Sequence, residues 1–321
     1  MRRLKLNIRP ILIVFAIVVC VIADKAHSYE KINFTGYTRN EFRDYWYSRG
    51  AEISRFSLEQ VRYGERHQGD AVLVFVTEEL NPAIQVKADH SRPENIPILK
   101  LNFVRKFFTG IYPYSILTSV FSPVDTQTYP LPLKISSSTQ EWCGHAYTQL
   151  NLNDDRYRVR MHSYFEKEGD QDFKIKSDVP EDAIWNLIRI APNSLPLGEF
   201  SLIPGTVYAR LAHRPLAPRK AVAALKEIAG KSLESSPLVS YEIEIPAEHR
   251  SLRIVFEKKF PYRIQKWEES YRSMAAPGGK LMTTRATRSH TIMDPYWQHH
   301  RNKDRVLLKK LGLNAREMGS N

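Results

Sequence analysis

Glu141-Trp142-Cys143-Gly144-His145 is the stretch whose residue types come closest to covalent chemistry. A thiol becomes a nucleophile when a base takes its proton, and on a strand an imidazole two residues away shares its face. Glu141, at the next even spacing, could orient that imidazole. No protease signature surrounds the pair, and the dithiol motif Trp-Cys-Gly-x-Cys is only half present, which rules out a dithiol cycle. A single cysteine in a sheet is ordinarily a small buried hydrophobe. The expectation is therefore a structural Cys143 and a protein that is not an enzyme, with Cys143, His145 and Glu141 the catalytic candidates otherwise.

Other chemical groupings point less far. His299-His300 with Asp294 and Asp304 lacks helical His-x-x-x-His spacing and paired cysteines, so no metal site is expected. The acidic stretch Glu166, Glu168, Asp170, Asp172 lacks the order of a calcium loop and reads as a solvated turn. Glu268 and Glu269 are neighbours, so on a strand they face opposite ways and cannot serve one glycosidic bond. There is no Gly-rich phosphate cradle and no Gly-x-Ser-x-Gly elbow, and no cofactor is expected. The aromatic residues Tyr112, Tyr114, Trp142, Tyr147, Trp185 and Trp267 are candidates to line a site for an apolar small molecule or lipid. The competing reading is that they fill a solid core.

Strands must position these groups. Tyr157, Val159 and Met161 alternate with Arg156, Arg158, Arg160 and His162; Val239, Tyr241, Ile243 and Ile245 alternate with Ser240, Glu242 and Glu244. Leu252, Ile254 and Phe256 repeat the pattern, which suits antiparallel strands with one wet face. Ala71–Val76 is apolar throughout and predicts burial on both faces. Polar stretches at Gly64–Asp70, Asn153–Asp155 and Pro246–Arg250 predict hairpins. From about Tyr37 to Tyr271 roughly a dozen strands are expected. Two helices interrupt or follow them. One spans Glu181–Ile190, with Ile184, Leu187 and Ile188 as its apolar face and Asn186 off it; the other spans roughly Asn302–Leu311, with Gly312 as its stop. Ala221–Ile228 fits either helix or strand. The fold class is thus mainly β: a large curved antiparallel sheet or open barrel around a short helix, with a C-terminal helix.

The chain begins with Arg2, Arg3, Lys5 and Arg9, then an apolar run over residues 11–23, then a small-residue cleavage site after Ser28, with Ala26 at the −3 position, or after Ala23, with Val21 there. This is the pattern of a secretory signal, and the run is short of the roughly 20 residues of a membrane span. Lipidation at Cys20 is disfavoured by Val19 before it. The expected organisation is a signal peptide over 1–28, one β domain over 29–313 and a disordered tail over 314–321. Export makes Cys143 the sole thiol and makes nucleic acid an improbable partner. Net charge falls from +12 to +8 on loss of residues 1–28, and a surplus of +6 lies from Lys280 onward, so the basic C-terminal region could touch an anionic membrane surface.

Several stretches resemble an uncharacterised family of exported bacterial proteins. They are Leu58–Glu65, Thr109–Ser115, Gln140–His145, Phe260–Arg263 with Trp267-Glu268-Glu269, and Tyr296-Trp297 with Leu311–Leu313. The resemblance runs from about residue 37 to residue 313. Members often carry the label septum formation inhibitor Maf, which implies a cytoplasmic nucleotide pyrophosphatase. That activity belongs to an α/β fold opening with Ser-x-Ser-Pro-Arg-Arg, and residues 1–40 contain no such element. The order of strands, the helix at Glu181, Pro196–Glu199 and Phe260–Arg263 is also similar to periplasmic open β-barrels wrapped around a helix, a shape related to that of lipoprotein carriers. A shared shape does not fix a function. The expectation is a non-enzymatic periplasmic or envelope-associated protein that binds an apolar or lipid-like ligand. The alternatives are a structural or interaction protein with a solid core, and a Cys/His hydrolase.

Overall fold

The computed structural model describes residues 32–273 and 279–313. The signal peptide and tail expected at the two ends lie outside the described residues. Among the described residues sixteen strands form one sheet. The first nine are β1 (Ala51–Arg62), β2 (Glu65–Asn81), β3 (Val86–Lys87), β4 (Ile96–Thr109), β5 (Tyr112–Pro123), β6 (Lys134–Glu141), β7 (Gly144–Asn153), β8 (Arg156–Ser163) and β9 (Gln171–Lys176). The rest are β10 (Val179–Pro180), β11 (Gly198–Ile203), β12 (Arg219–Lys231), β13 (Pro237–Ile245), β14 (Arg250–Glu257), β15 (Ile264–Arg272) and β16 (Leu281–Asp294). Among the described residues three α-helices accompany them: α1 (Arg39–Trp46), α2 (Glu181–Ile190) and α3 (Thr206–Leu211).

The sheet runs from β10 through β11–β16 to β1, then β2 and β4–β9, with β3 on the flank of β2. Only β10 and β11 pair in parallel. The first and last strands of this order, β10 and β9, are not paired with each other, so the sheet is open along one seam. Alternation reads through directly: β8 is buried at Tyr157 and Val159 and exposed at Arg156, Arg158 and Arg160. Ala221–Ile228 resolves as part of β12. The Gly64–Asp70 segment is mostly strand rather than loop, because β2 begins at Glu65 after a tight Tyr63-Gly64 turn.

The concave face closes around α2. Trp185 packs edge-on against Phe103 of β4 and Trp267 of β15, with centroids 5.0 and 5.3 Å away. Asn186 donates from Nδ2 to the Leu99 carbonyl of β4 at 2.7 Å. At the C-terminal end Arg189, fully buried, grips Glu52 of β1 with two bonds of 2.6 and 2.7 Å. At the N-terminal end Glu181 meets Arg250 of β14 at 2.6 Å, and Arg250 also meets Glu269 of β15 at 2.7 Å. A helix that touches β1, β4, β14 and β15 at once requires the sheet to curl around it. Burial raises the Glu52 carboxyl, but the charge and hydrogen bonds of Arg189, with Tyr45 and Arg263, outweigh it and hold its pKa below the usual range. Removing one partner of such a buried pair costs about 3–5 kcal/mol, because the other charge is left uncompensated.

The helix surface differs from the stripe expected of it. Asn186 is fully buried, whereas Leu187 is half-buried. With strands on several sides of α2, a polar residue off the apolar stripe still points into the sheet. Two helices were not anticipated from the sequence. The first, α1, occupies residues read as strand. Thr38 and Glu41 close a capping box at its start, with Thr38 Oγ1 accepting from the Glu41 N–H at 3.1 Å and Glu41 Oε2 from the Thr38 N–H at 2.7 Å. Phe42, Tyr45 and Trp46 then bury one face. The second, α3, is too short for a periodic pattern.

The outer face of β1 and β2 is covered by a 3₁₀ helix, Asn302–Leu311, at the expected position of the C-terminal helix. Leu311 and Leu313 pack with Ala51, Ile53 and Val76, and Leu308 joins Val72 and Val74. This explains the unbroken apolar run in β2. Gly312 ends the helix at φ +64°, and a Cβ there would lie 2.5 Å from the His290 ring. Among the described residues no helix is long and apolar enough to cross a membrane.

Candidate functional site

Beside the β10 edge of the sheet, one side of α2 borders a groove. Ala183, Leu187 and Ile190, spaced four and three apart, share that side and floor the groove, which has a volume of about 330 Å³. One wall is the end of β5 and the segment after it: Ser122, Pro123, Thr126 and Tyr129–Pro132. The other is Val179, Ser194 and Pro196, beside the β10–β11 edge. Four of the lining residues are prolines, which have no backbone N–H, so the walls offer few donors. The Ser122 hydroxyl, in a residue only 8% exposed, has no hydrogen-bond partner. A buried hydroxyl without a partner costs free energy that a ligand acceptor would recover.

Tyr129 lines this groove and also a wider one of about 720 Å³. The second groove is bordered by Arg39, Phe42, Arg43 and Tyr47 of the α1 region and by Glu94, Pro97, Val124 and Asp125. Arg39 and Arg43 stand one turn apart on the exposed side of α1 and have no ion-pair partner among the described residues. Asp125 is committed to its own turn. Its Oδ2 accepts from the Thr128 hydroxyl at 2.6 Å and its Oδ1 from the backbone N–H groups of Gln127 and Thr128, which lowers its pKa. The two grooves meet at Tyr129; the first is mainly apolar, and the second brings the Arg39 and Arg43 guanidinium groups and the Glu94 carboxylate to its border. No family model, curated protein or solved structure matches this chain.

The residues singled out from the sequence fall into three places, none on these grooves. Tyr112, Tyr114 and Trp142 cluster at the opposite, α3-bearing end of the sheet, with Tyr112 centred 5.8 Å from Tyr114 and 6.5 Å from Trp142. Tyr114 is buried and stacks on Phe107, while Trp142 is 69% exposed at a hairpin tip. Trp185 and Trp267 lie deep against Phe103 and Phe56, in close aromatic packing. Tyr147 points to the outer face of β7, where its hydroxyl donates to Gln149 at 2.7 Å.

The Cys/His grouping does not assemble. Cys143 is exposed in the two-residue turn between β6 and β7, which corrects the expectation of a shielded thiol on a packed strand. His145 is exposed, and pairs with Gln140 across the hairpin, whereas Glu141 pairs with Gly144. Glu141 and His145 therefore face opposite sides of the sheet. The Glu141 carboxylate is buried against Arg210 of α3 at 3.4 Å. Glu168, read as part of a solvated turn, joins the same cluster through Arg210 at 3.2 Å and His213 at 2.6 Å. His299 is held by Asp294 at 2.7 Å.

The groove residues carried no motif. Prolines, two leucines and a tyrosine become a site only through the place where the sheet stops, and pairing order is not visible in a local pattern. The run Tyr129-Pro130-Leu131-Pro132 is the one local signal, an apolar segment where a solvated connection would be polar.

Proposed function

We propose that this protein binds a single-chain amphiphile, fatty-acid-like in character, with the apolar chain along the seam groove and the polar head near Arg39 and Arg43. The observation that carries this reading is the apolar, proline-walled groove over the half-buried Leu187. The interior beneath is packed with α2 and aromatic side chains, so the ligand lies in the seam rather than within the barrel. No reaction is proposed for it. The signal-like leader supports a periplasmic or envelope setting. The exposed Arg305, Lys309 and Lys310 of the C-terminal helix support contact with an anionic membrane surface, where such a ligand would be met.

The test is titration of delipidated protein with a fluorescent long-chain fatty acid, cis-parinaric acid. Saturable binding is expected. Leu187→Glu should weaken it at least about tenfold, the equivalent of roughly 1.4 kcal/mol, read in protein whose unfolding curve shows it folded at the titration temperature, because Leu187 also packs against the core. Arg39→Glu/Arg43→Glu should weaken it less, and only at low salt. Equal binding by the wild type and Leu187→Glu would remove the seam as the site.

A further inference from the structure

Six arginines are buried among the described residues: Arg62, Arg105, Arg189, Arg210, Arg250 and Arg288. Five have a carboxylate within ion-pair distance: Glu269 for Arg105, Glu52 for Arg189, Glu141 for Arg210, Glu181 for Arg250 and Glu234 for Arg288. Arg62 has none. Its guanidinium donates to the Tyr114 hydroxyl at 3.4 Å, to the Tyr63 hydroxyl at 3.3 Å and to the Leu211 carbonyl. All three acceptors are neutral. A buried cation without a counter-charge is costly, and elsewhere this chain avoids the cost.

Arg62 lines a cavity of about 410 Å³ at the α3 end of the sheet, away from the seam groove. Arg214 and Arg272 also line it, both exposed and neither in an ion pair among the described residues. The one carboxylate on the wall, Glu248, is bonded to Arg219 at 3.0 Å. Tyr208 and Tyr271 supply flat apolar wall, and the Tyr271 hydroxyl is already spent on the Val61 carbonyl at 2.9 Å. Three guanidinium groups around aromatic faces match an oxyanion carried on a ring-sized body.

We infer that this cavity is a second, independent binding site, for a small organic oxyanion whose charged group is received by Arg62 with Arg214 and Arg272. The chemistry is shared by a carboxylate on a sugar or aromatic ring and by a phosphate group, so the probes must separate them. The full-length chain is titrated calorimetrically at low salt with glucuronate, inorganic phosphate and, as the neutral control, glucose. At least one anion should bind, with affinity falling as salt rises, and glucose should not. Glucuronate alone would assign the site to ring carboxylates, and phosphate binding would extend it to phosphate groups. Arg62→Met should abolish binding, read in protein whose unfolding curve shows it folded at the titration temperature, because the variant also gives up three hydrogen bonds and the contact with the Tyr63 ring at 4.3 Å. Arg214→Ser/Arg272→Ser, both at exposed positions, should weaken binding at least about tenfold, or roughly 1.4 kcal/mol. Neither anion binding to the wild type, or undiminished binding in both variants, would overturn the inference.

Discussion

Asn186 shows how one side chain can be misread from spacing and still be decisive. It lies outside the Ile184–Leu187–Ile188 stripe, yet it is fully buried, and its Nδ2 donates to the carbonyls of Leu99 and Val120 at 2.7 and 3.4 Å. These carbonyls belong to β4 and β5, so the amide fastens the helix to two strands. Asn186→Asp should therefore destabilise the fold by at least about 2–3 kcal/mol, since it replaces the donor with an acceptor and buries a charge against two carbonyl oxygens. Chemical denaturation of the two proteins at neutral pH measures this; a loss under about 0.5 kcal/mol, the range of ordinary surface changes, would mean the amide is not a core contact. The strands themselves were legible because a period of two needs no knowledge of neighbours. The inward side of α2 was not, because a stripe assumes one buried face and this helix meets strands on several.

At the level of elements, α2 and α3 are joined by an acid. Asp182 Oδ2 accepts the backbone N–H of Thr206 at 2.9 Å, at the start of α3. A Cβ on Gly205 would stand 2.7 Å from Glu181 Oε1, so a side chain there would press on the carboxylate that Arg250 holds. Burial pushes the Asp182 carboxyl from 3.8 up to about 6, the charge of Glu181 adds to the rise, and the Thr206 N–H and Arg105 oppose it. A raised acid pKa in the folded state means that the ionised form is disfavoured there. The contribution is fully present below about pH 4 and is lost as pH rises through about 6. Asp182→Asn, which keeps an acceptor for Thr206, should match the wild type near pH 4. Near pH 7.5 it should exceed the wild type by about 1–3 kcal/mol, from 1.36 kcal/mol per pKa unit. Urea unfolding at the two pH values checks this, and a gap that does not widen with pH would show that Asp182 is not the titrating group. Neither α3 nor this junction was legible in sequence, since six residues are too few for periodicity and the partners stand 24 positions apart.

For the whole molecule, the architecture fixes how it should come apart. β1–β9 and β10–β16 are two runs, with consecutive strands paired within each except across β3. They are joined by the β1–β16 ladder, in which Glu52 pairs with Met293, and at the other end they meet only at the unpaired seam. Two halves with separate cores would melt separately, as larger chains often do. Here the core crosses the boundary: Phe56 of β1 packs 4.8 Å from Trp267 of β15, and Trp185 of α2 touches Phe103 of the first run and Trp267 of the second. The Glu52–Arg189 and Glu181–Arg250 pairs tie the same helix to both. The two runs should therefore unfold as one unit, with far-ultraviolet dichroism, which reports the strands, and fluorescence of the buried Trp46, Trp185 and Trp267 giving coincident denaturant curves. Phe56→Ala removes a contact that spans the boundary. It should lower both curves together by about 3–5 kcal/mol, the usual range for a buried phenylalanine. If the fluorescence curve shifted while a separate strand transition stayed in place, the two runs would be distinct folding units and the helix between them only a contact.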